Sequence, residues 1–412
     1  MTYHIKAQNV LKTSILLPSS KSISNRVLIL NALCNHPKEI NNISECDDTE
    51  VVIKALREKK SNINIGAAGT AMRFLTAYLS SQKGSYTITG TERMKNRPIK
   101  ILVDALRSTG AHISYTEKDG FPPLHIDGQT LKGGEIQLGG GVSSQYISAL
   151  LMIAPLMTNG LRLRLSGEVI STPYINLTIK LMRRFGVIVF EEEQTYTVPP
   201  QQYSSAENFT VESDWSAASY WYEIVALCKD DNAGVSLHGL RADSLQGDSS
   251  IVKLFDNLGV ETTFTSSGVT LTKKPAVVDR LFEFDFVSIP DMAQTFAVTC
   301  AMMNIPFRFT GLQSLKIKET DRLNALKVEL RKLGYLLEIH NENSLEWTGK
   351  KCEAETSPVI ETYEDHRMAM AFAPISLCRE NGVSIANPEV VSKSYPSFWE
   401  DLIKTNFLIV ES

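Results

Sequence analysis

Apolar residues at helical spacing, a glycine, and then a β-branched run recur along the chain. The phrase reads VVIKALREKKSNINI at 51–65, LVDALRSTGAHIS at 102–114 and LTIKLMRRFGVIVF at 177–190. It returns as IVKLFDNLGVETTF at 251–264, ALKVELRKLGYLLEI at 325–339 and FWEDLIKTNFLI at 398–409. Each copy predicts an amphipathic helix that stops and turns into a strand. Gly110, Gly186, Gly259 and Gly334 stand where a helix ends in a left-handed residue, a conformation glycine adopts without steric penalty. Their spacings are 76, 73 and 75 residues, and the first copy comes sooner. Helix-glycine-strand punctuation is common in α/β proteins, but a near-constant period marks repetition. The pattern therefore predicts an α/β protein of six related units, about 69 residues each, each long enough for two helices and several strands.

The polar stretch EEEQTYTVPPQQYSSAENFT at 191–210 follows the third copy and predicts the end of one lobe, with VESDWSAASYWY opening the next. A chain of 412 residues exceeds one core and predicts two or three domains. The net charge of −4 argues against a nucleic-acid binder, so any anion site must be a local concentration of cations. The longest apolar run, ALLMIAPLM at 149–157, falls short of the roughly 18 residues a membrane helix needs. The opening MTYHIKAQNV has no signal-peptide pattern. Six cysteines (34, 46, 228, 300, 352 and 378) without a C-x-x-C pair read as reduced thiols, and the histidines are dispersed. A cytoplasmic, metal-free protein is expected.

Chemistry gathers at predicted helix starts. LPSSKSISNR, 17–26, sets Lys21, Ser22 and Arg26 at a strand-to-helix turn, where unpaired N–H groups suit an anion such as phosphate. Serine caps and solvated cations are the plainer reading. GAAGTAMRF, 66–74, turns small residues into a helix at Gly69 and Thr70, with Arg73 one turn on. ERMKNRP, 92–98, crowds Arg93, Lys95 and Arg97 before a proline-started helix, and GGGVSSQYISALL, 139–151, sets Ser143, Ser144 and Gln145 at another helix start. Further on, KIKETDRLNAL at 316–326 places Lys318, Glu319, Asp321 and Arg322 in a first turn, where Lys and Arg oppose the helix dipole unless an anion is bound. TYEDHRMAMAFA, 362–373, runs Asp365, His366 and Arg367 into an apolar helix, where a buried Arg calls for a partner; His366 reads better as a capping or core residue than as a catalyst. Asp291, in SIPDMAQTFAV, is evenly an N-cap or a functional group.

Together these motifs resemble the EPSP synthase (3-phosphoshikimate 1-carboxyvinyltransferase) family of enolpyruvyl transferases. The matches are SKSISNR, AGTAMR, RMKNRP, VSSQ, PYI, VESD, IPD, KETDR, DHRMAM and SKSYPSFWEDL, in order from residue 17 to residue 401. The resemblance implies a two-lobed inside-out α/β barrel with three βαβαββ repeats per lobe, which agrees with the six units counted above. It implies lobes of residues 18–210 and of 1–17 plus 211–412, with the active site in the cleft between them. It also implies transfer of the enolpyruvyl group of phosphoenolpyruvate to the 5-hydroxyl of shikimate 3-phosphate, with release of phosphate, in the shikimate pathway. The expected enzyme is a cytoplasmic monomer with no cofactor and no metal, and with no nucleic-acid or membrane partner.

By motif, the resemblance gives Lys21, Ser22, Arg26, Ser143, Ser144, Gln145, Ser171, Tyr174, Asp291 and Lys318 to shikimate 3-phosphate. It gives Lys21, Gly69, Arg97, Gln145, Arg322, Arg367 and Lys393 to phosphoenolpyruvate, whose carboxylate and phosphate suit the planar guanidinium fork. Proton transfer falls to Glu319 and Asp291, with Lys21 bridging. The inhibitor glyphosate, which takes the phosphoenolpyruvate position in this family, is expected to compete with it. Ala67 and Phe74 depart from the family's GNAGTAMRP, and Ser314 and Lys316 stand where an asparagine and an arginine are common. Two other readings are weighed. Enolpyruvyl transfer to UDP-N-acetylglucosamine usually relies on a loop cysteine that 92–120 lacks, and an inactive phosphometabolite-binding homologue is disfavoured by Lys21, Asp291, Glu319 and Arg367.

Overall fold

Helices that are apolar all round belong inside a protein, and alternating strands belong at a surface with one face wet. A computed structural model of the chain, which describes residues 1–8, 10–58 and 60–411, follows both rules. The Ser144–Ile153 helix buries all but Gln145, and the Trp215–Leu227 helix all but Ser216. By contrast the strand Leu161–Ser166, LRLRLS, alternates buried and exposed along its whole length. The chain divides into two compact units, Ser19–Val211 and Met1–Pro18 with Glu212–Ser412.

The described residues form five four-stranded sheets of one topology: a parallel pair followed by two antiparallel neighbours. In the 19–211 unit their spatial orders are Asn62–Asn64, Gly84–Thr89, Leu124–Gly128, His112–Tyr115, and Gly134–Gly139, Leu161–Ser166, Thr195–Val198, Phe190–Glu192. The other unit holds Lys12–Leu16, Gly234–His238, Gly268–Lys273, Val260–Thr265, and Phe282–Asp285, Phe307–Thr310, Ser344–Trp347, Glu338–His340. Its third sheet is Val359–Ile360, Val383–Ala386, Thr2–Ala7, Phe407–Glu411, in which the first strand of the chain completes the last repeat. Lys12–Leu16 pairs in parallel with Gly234–His238, so the 19–211 unit is inserted inside one repeat of the other.

Gly110, Gly186, Gly259 and Gly334 hold φ of 100°, 80°, 86° and 95°, and Asn406 takes the same place in the last copy at 67°. After Gly186 and Gly334 the ladder starts late, at Phe190 and Glu338, and Val187, Val189 and Leu337 are already buried before the strand begins. The first copy corrects the sequence reading. Asn62–Asn64 pairs in parallel with Gly84–Thr89, so it opens the next sheet instead of closing its own. Residues 21–58 keep two helices, Lys21–Ala32 and Asp47–Glu58, and Asn41 makes a single parallel bridge to Thr210. A second correction concerns ERMKNRP: Glu92–Lys95 is itself a helical turn capped by Thr91, and the next helix starts at Lys100, beyond Pro98.

One buried acid in the fold has a measurable consequence. Glu223, on the Trp215–Leu227 helix, is fully buried; burial pushes its carboxyl well above the usual range, and the Thr299 hydroxyl offsets this only in part. In the unfolded chain a Glu ionises near 4.3. The folded chain holds the proton to higher pH, so Glu223 supports folding below that value and opposes it progressively as pH rises. Glu223→Gln is expected to stabilise the protein at pH 8 by about 1–3 kcal/mol, the scale of a buried polar group without full compensation. It is also expected to flatten the fall in stability between pH 5 and pH 8. Denaturant melts of both proteins at the two pH values check this; an unchanged slope excludes Glu223 as its source.

Candidate active site

In the 19–211 unit, polar side chains collect at four helix starts. Ser20 caps the Lys21–Ala32 helix, its Oγ 3.4 Å from the Ile23 amide. Lys21 then pairs with Asp48 at 3.1 Å, both largely shielded. The Gly69–Ser80 helix starts after Ala68 with no side-chain cap, which leaves its first amides to other acceptors. Arg73 folds back to the Gly69 carbonyl at 2.8 Å. Arg97 comes so close that a Cβ on Gly69 would lie 2.7 Å from its Nη1, so glycine here makes room for a guanidinium. Ser143 caps the Ser144–Ile153 helix at the Gln145 amide, 3.3 Å, and the Gln145 side chain donates to Thr70 Oγ1 at 3.1 Å. Ser171 sits at the N-cap of Thr172–Arg184 in the left-handed region, φ 56°, and its side chain makes no cap bond. A non-glycine residue held there is strained, which is typical of functional turns.

Arg26 lies one turn deeper and is 3% exposed. Its Nε donates to Thr178 Oγ1 (2.7 Å), Nη1 to the Ser22 carbonyl (2.9 Å), and Nη2 to Ser148 Oγ (3.3 Å) and the Tyr174 carbonyl (3.5 Å). Phe74, a departure from the family pattern, is fully buried with its ring 5.3 Å from the guanidinium.

The other unit builds its site around Arg322, the first residue of the Arg322–Lys332 helix. Asp321 caps that helix through the Asn324 amide at 3.1 Å. The Arg322 guanidinium reaches Asp291 at 2.6 Å, Glu319 at 2.8 Å and Asp365 at 2.7 Å. The anion that the sequence demands for a cation at this helix start is thus supplied by three carboxylates of the protein itself. Burial alone would lower the Arg322 pKa, but Asp365, Glu319 and Asp291 together raise it. Lys318 and Arg367 approach Asp291 more loosely, at 3.4 and 3.6 Å. Burial would push the Asp291 carboxyl up, yet Lys318, Arg367 and Arg322 outweigh it and hold the group well below the usual carboxylate range.

Asp291 is not an N-cap: it lies in the 3-10 turn Pro290–Met292, and the Ala293–Met302 helix starts after Met292 without a side-chain cap. Asp365 does cap its helix, through the Arg367 amide at 2.9 Å, while bonding Arg322. The preceding Tyr363 and Glu364 are both left-handed, and this turn presents the Glu364 carbonyl to Lys393 at 2.8 Å. His366 is buried at the start of the same helix, with Nδ1 3.8 Å from Asp365.

Sequence reasoning missed several polar partners. Asp48 is one acid in the acidic run SECDDTE, and only the fold selects it for Lys21. Ser148 sits within an apolar helix and Thr178 on the buried face of an amphipathic one, and neither carried a signal. Asp248 is 3% exposed and accepts a short hydrogen bond from Ser216; burial pushes its carboxyl up to about 6, the Ser216 bond pulling the other way. Among the described residues no group of three or more His, Cys, Asp or Glu side chains is arranged to hold a metal ion. No helix among them is long and apolar enough to cross a membrane.

Comparison with known proteins follows the same residues. A protein-family model described as EPSP synthase (3-phosphoshikimate 1-carboxyvinyltransferase) matches residues 5–60 and 57–402. A 3-phosphoshikimate 1-carboxyvinyltransferase of Bacteroides fragilis is 58% identical over 408 residues, 99% of this chain and 98% of that protein. One from Sulfurovum sp. is 35% identical over 432 residues, covering 97% of each. The solved EPSP synthase of Acinetobacter baumannii shares the fold over the full length of both chains, with a TM-score of 0.78 at 21% identity.

Proposed function

The chain belongs to the EPSP synthase (3-phosphoshikimate 1-carboxyvinyltransferase) family, and from that premise we propose how its own residues carry the reaction. The enzyme transfers the enolpyruvyl group of phosphoenolpyruvate to the 5-hydroxyl of shikimate 3-phosphate, giving 5-enolpyruvylshikimate 3-phosphate and phosphate. The observation that supports this reading best is one guanidinium, Arg322, fixing two carboxylates, Asp291 and Glu319, with Lys318 and Arg367 at longer range from Asp291. Contacts of 2.6 to 2.8 Å hold Arg322 to the acids, whereas Lys318 and Arg367, at 3.4 and 3.6 Å, are the cations an incoming anion recruits.

Lys21, Ser22, Ser143, Ser144, Gln145, Ser171, Tyr174, Asp291 and Lys318 bind shikimate 3-phosphate, and Arg26 adds its charge from beneath. Lys21, the Gly69 turn, Arg97, Gln145, Arg367 and Lys393 bind phosphoenolpyruvate. Arg322 joins that set only by giving up one of its carboxylates, so its first task is to aim them. Glu319 delivers a proton to the methylene carbon of phosphoenolpyruvate as the 5-hydroxyl oxygen bonds to its C2. Asp291 takes the hydroxyl proton. The tetrahedral adduct then returns a methyl proton to the Glu319 carboxylate as the C–O bond to phosphate breaks, the phosphate leaves with the proton held by Asp291, and the enol double bond is restored.

Asp291 is a weak base while three cations surround it. Phosphate and carboxylate groups of the substrates draw on Lys318 and Arg367, and Asp291 gains proton affinity as they do. We place the protein in the cytoplasm as a monomer that needs no cofactor and binds neither nucleic acid nor membrane. Phosphate release from phosphoenolpyruvate, measured with shikimate 3-phosphate and with UDP-N-acetylglucosamine as alternative acceptors, tests the reading. Release is expected with the first acceptor alone; release with the second alone, or with neither, overturns it.

A further inference from the structure

Three helices of the 19–211 unit share one arrangement. Ser22 and Arg26 lie four residues apart on Lys21–Ala32, Ser144 and Ser148 on Ser144–Ile153, and Tyr174 and Thr178 on Thr172–Arg184. Residues at that spacing stack on one helix face, one turn above the other. In each pair the upper residue belongs to the proposed shikimate 3-phosphate set, and the lower one joins a buried cluster. Arg26 donates to both lower hydroxyls, Thr178 at 2.7 Å and Ser148 at 3.3 Å, and those hydroxyls lie 2.8 Å apart. The cluster also grips the upper layer: Arg26 holds the Ser22 carbonyl at 2.9 Å, and Thr178 Oγ1 lies 3.0 Å from the Tyr174 carbonyl. Phe74, on the helix that begins at Gly69, covers the guanidinium.

We propose that Thr178 and Ser148 are positioning residues for shikimate 3-phosphate, setting through Arg26 the spacing of the three helix starts that bear Ser22, Ser144 and Tyr174. The inference rests on that substrate reading. Every protein partner of Arg26 among the described residues is neutral: two hydroxyls, two carbonyls and a ring. No carboxylate faces its charge at 3% exposure, and burial pulls the guanidinium down to about 10, the Tyr174 phenol pulling the other way. A buried cation without a carboxylate is poorly compensated, and the dianionic phosphate of the substrate supplies what the protein does not. A cluster of neutral hydroxyls aims the charge without cancelling it.

Thr178→Val keeps the shape and removes the hydroxyl that binds Arg26. It is expected to raise KM for shikimate 3-phosphate about tenfold, with KM for phosphoenolpyruvate and kcat within about threefold of wild type. Thr178→Ser restores the hydroxyl and is expected to return KM to near the wild-type value. Ser148→Ala, expected to give a smaller rise of the same kind, serves if Thr178→Val does not fold. An unchanged KM for shikimate 3-phosphate, an equal rise in both KM values, or no rescue by serine overturns the positioning role. Wild-type protein that turns over phosphoenolpyruvate with another acceptor, and not with shikimate 3-phosphate, overturns the substrate reading itself, which separates the two failures.

Discussion

Asp291→Asn is expected to lower kcat by about 10³ while KM for shikimate 3-phosphate stays level or falls. The split follows from the charges around this one carboxylate. Asp291 meets Arg322 at 2.6 Å, Lys318 at 3.4 Å and Arg367 at 3.6 Å. Asparagine keeps the size of the side chain and an acceptor oxygen for Arg322, but it cannot take a proton from the 5-hydroxyl. Glu319 and Asp365 still face Arg322, so the buried guanidinium is not stranded. Lys318 and Arg367, meanwhile, lose a competing anion, which offsets the contact Asp291 itself makes with shikimate 3-phosphate. Because three cations hold Asp291 ionised well below the usual range in the free protein, its own protonation does not set the acid limb of the kcat/KM profile, which reports the free enzyme. Steady-state kinetics on the variant decide the matter. If KM for shikimate 3-phosphate rises while kcat is retained, Asp291 serves binding alone and does no proton transfer.

Local features were legible in the sequence and distant pairings were not. Gly110, Gly186, Gly259 and Gly334 announce the repeat because a left-handed helix end is a property of one residue and its neighbours. The serine caps at Ser20 and Ser143 were likewise legible in their own turns, whereas Asp321, read as part of a first turn, and Asp365 cap their helices without having been read as caps. The phase of the first repeat was misread for a physical reason. Asn62–Asn64 follows a helix as the other copies do, and only its partner strand, Gly84–Thr89, shows that it starts a new sheet. Arg322 illustrates the same limit within the site. Its position at a helix start called for an anion; Glu319 comes from Arg322's own motif, but Asp291 and Asp365 come from distant ones that only the fold brings in. Asp291 read equally well as a cap until the fold placed it beside those cations. Thr178 and Ser148 carry no local signal at all, since a buried hydroxyl in a helix usually bonds back to its own backbone, as Thr178 does to the Tyr174 carbonyl.

Glu319→Gln is expected to reduce kcat by about 10² or more, with shikimate 3-phosphate still bound at near wild-type affinity. The substitution is narrow. Glu319 accepts from Arg322 Nη2 at 2.8 Å, and the glutamine carbonyl oxygen can accept the same bond, so the side chain stays where it is. What disappears is the proton that must reach the methylene carbon of phosphoenolpyruvate before C2 can take the 5-hydroxyl oxygen. Glu319 lies outside the proposed phosphate-binding set, and Lys318, the neighbour that belongs to it, keeps its contact with Asp291 at 3.4 Å. Losing one of three acids also leaves the Arg322 charge less neutralised, which favours anion binding. Turnover and shikimate 3-phosphate affinity measured on one preparation therefore separate two roles: lost turnover with intact binding marks a proton donor, and lost binding with intact turnover marks a charge that merely shapes the pocket. Wild-type turnover in Glu319→Gln would remove Glu319 from the mechanism and leave the methylene proton to another acid within reach of Arg322.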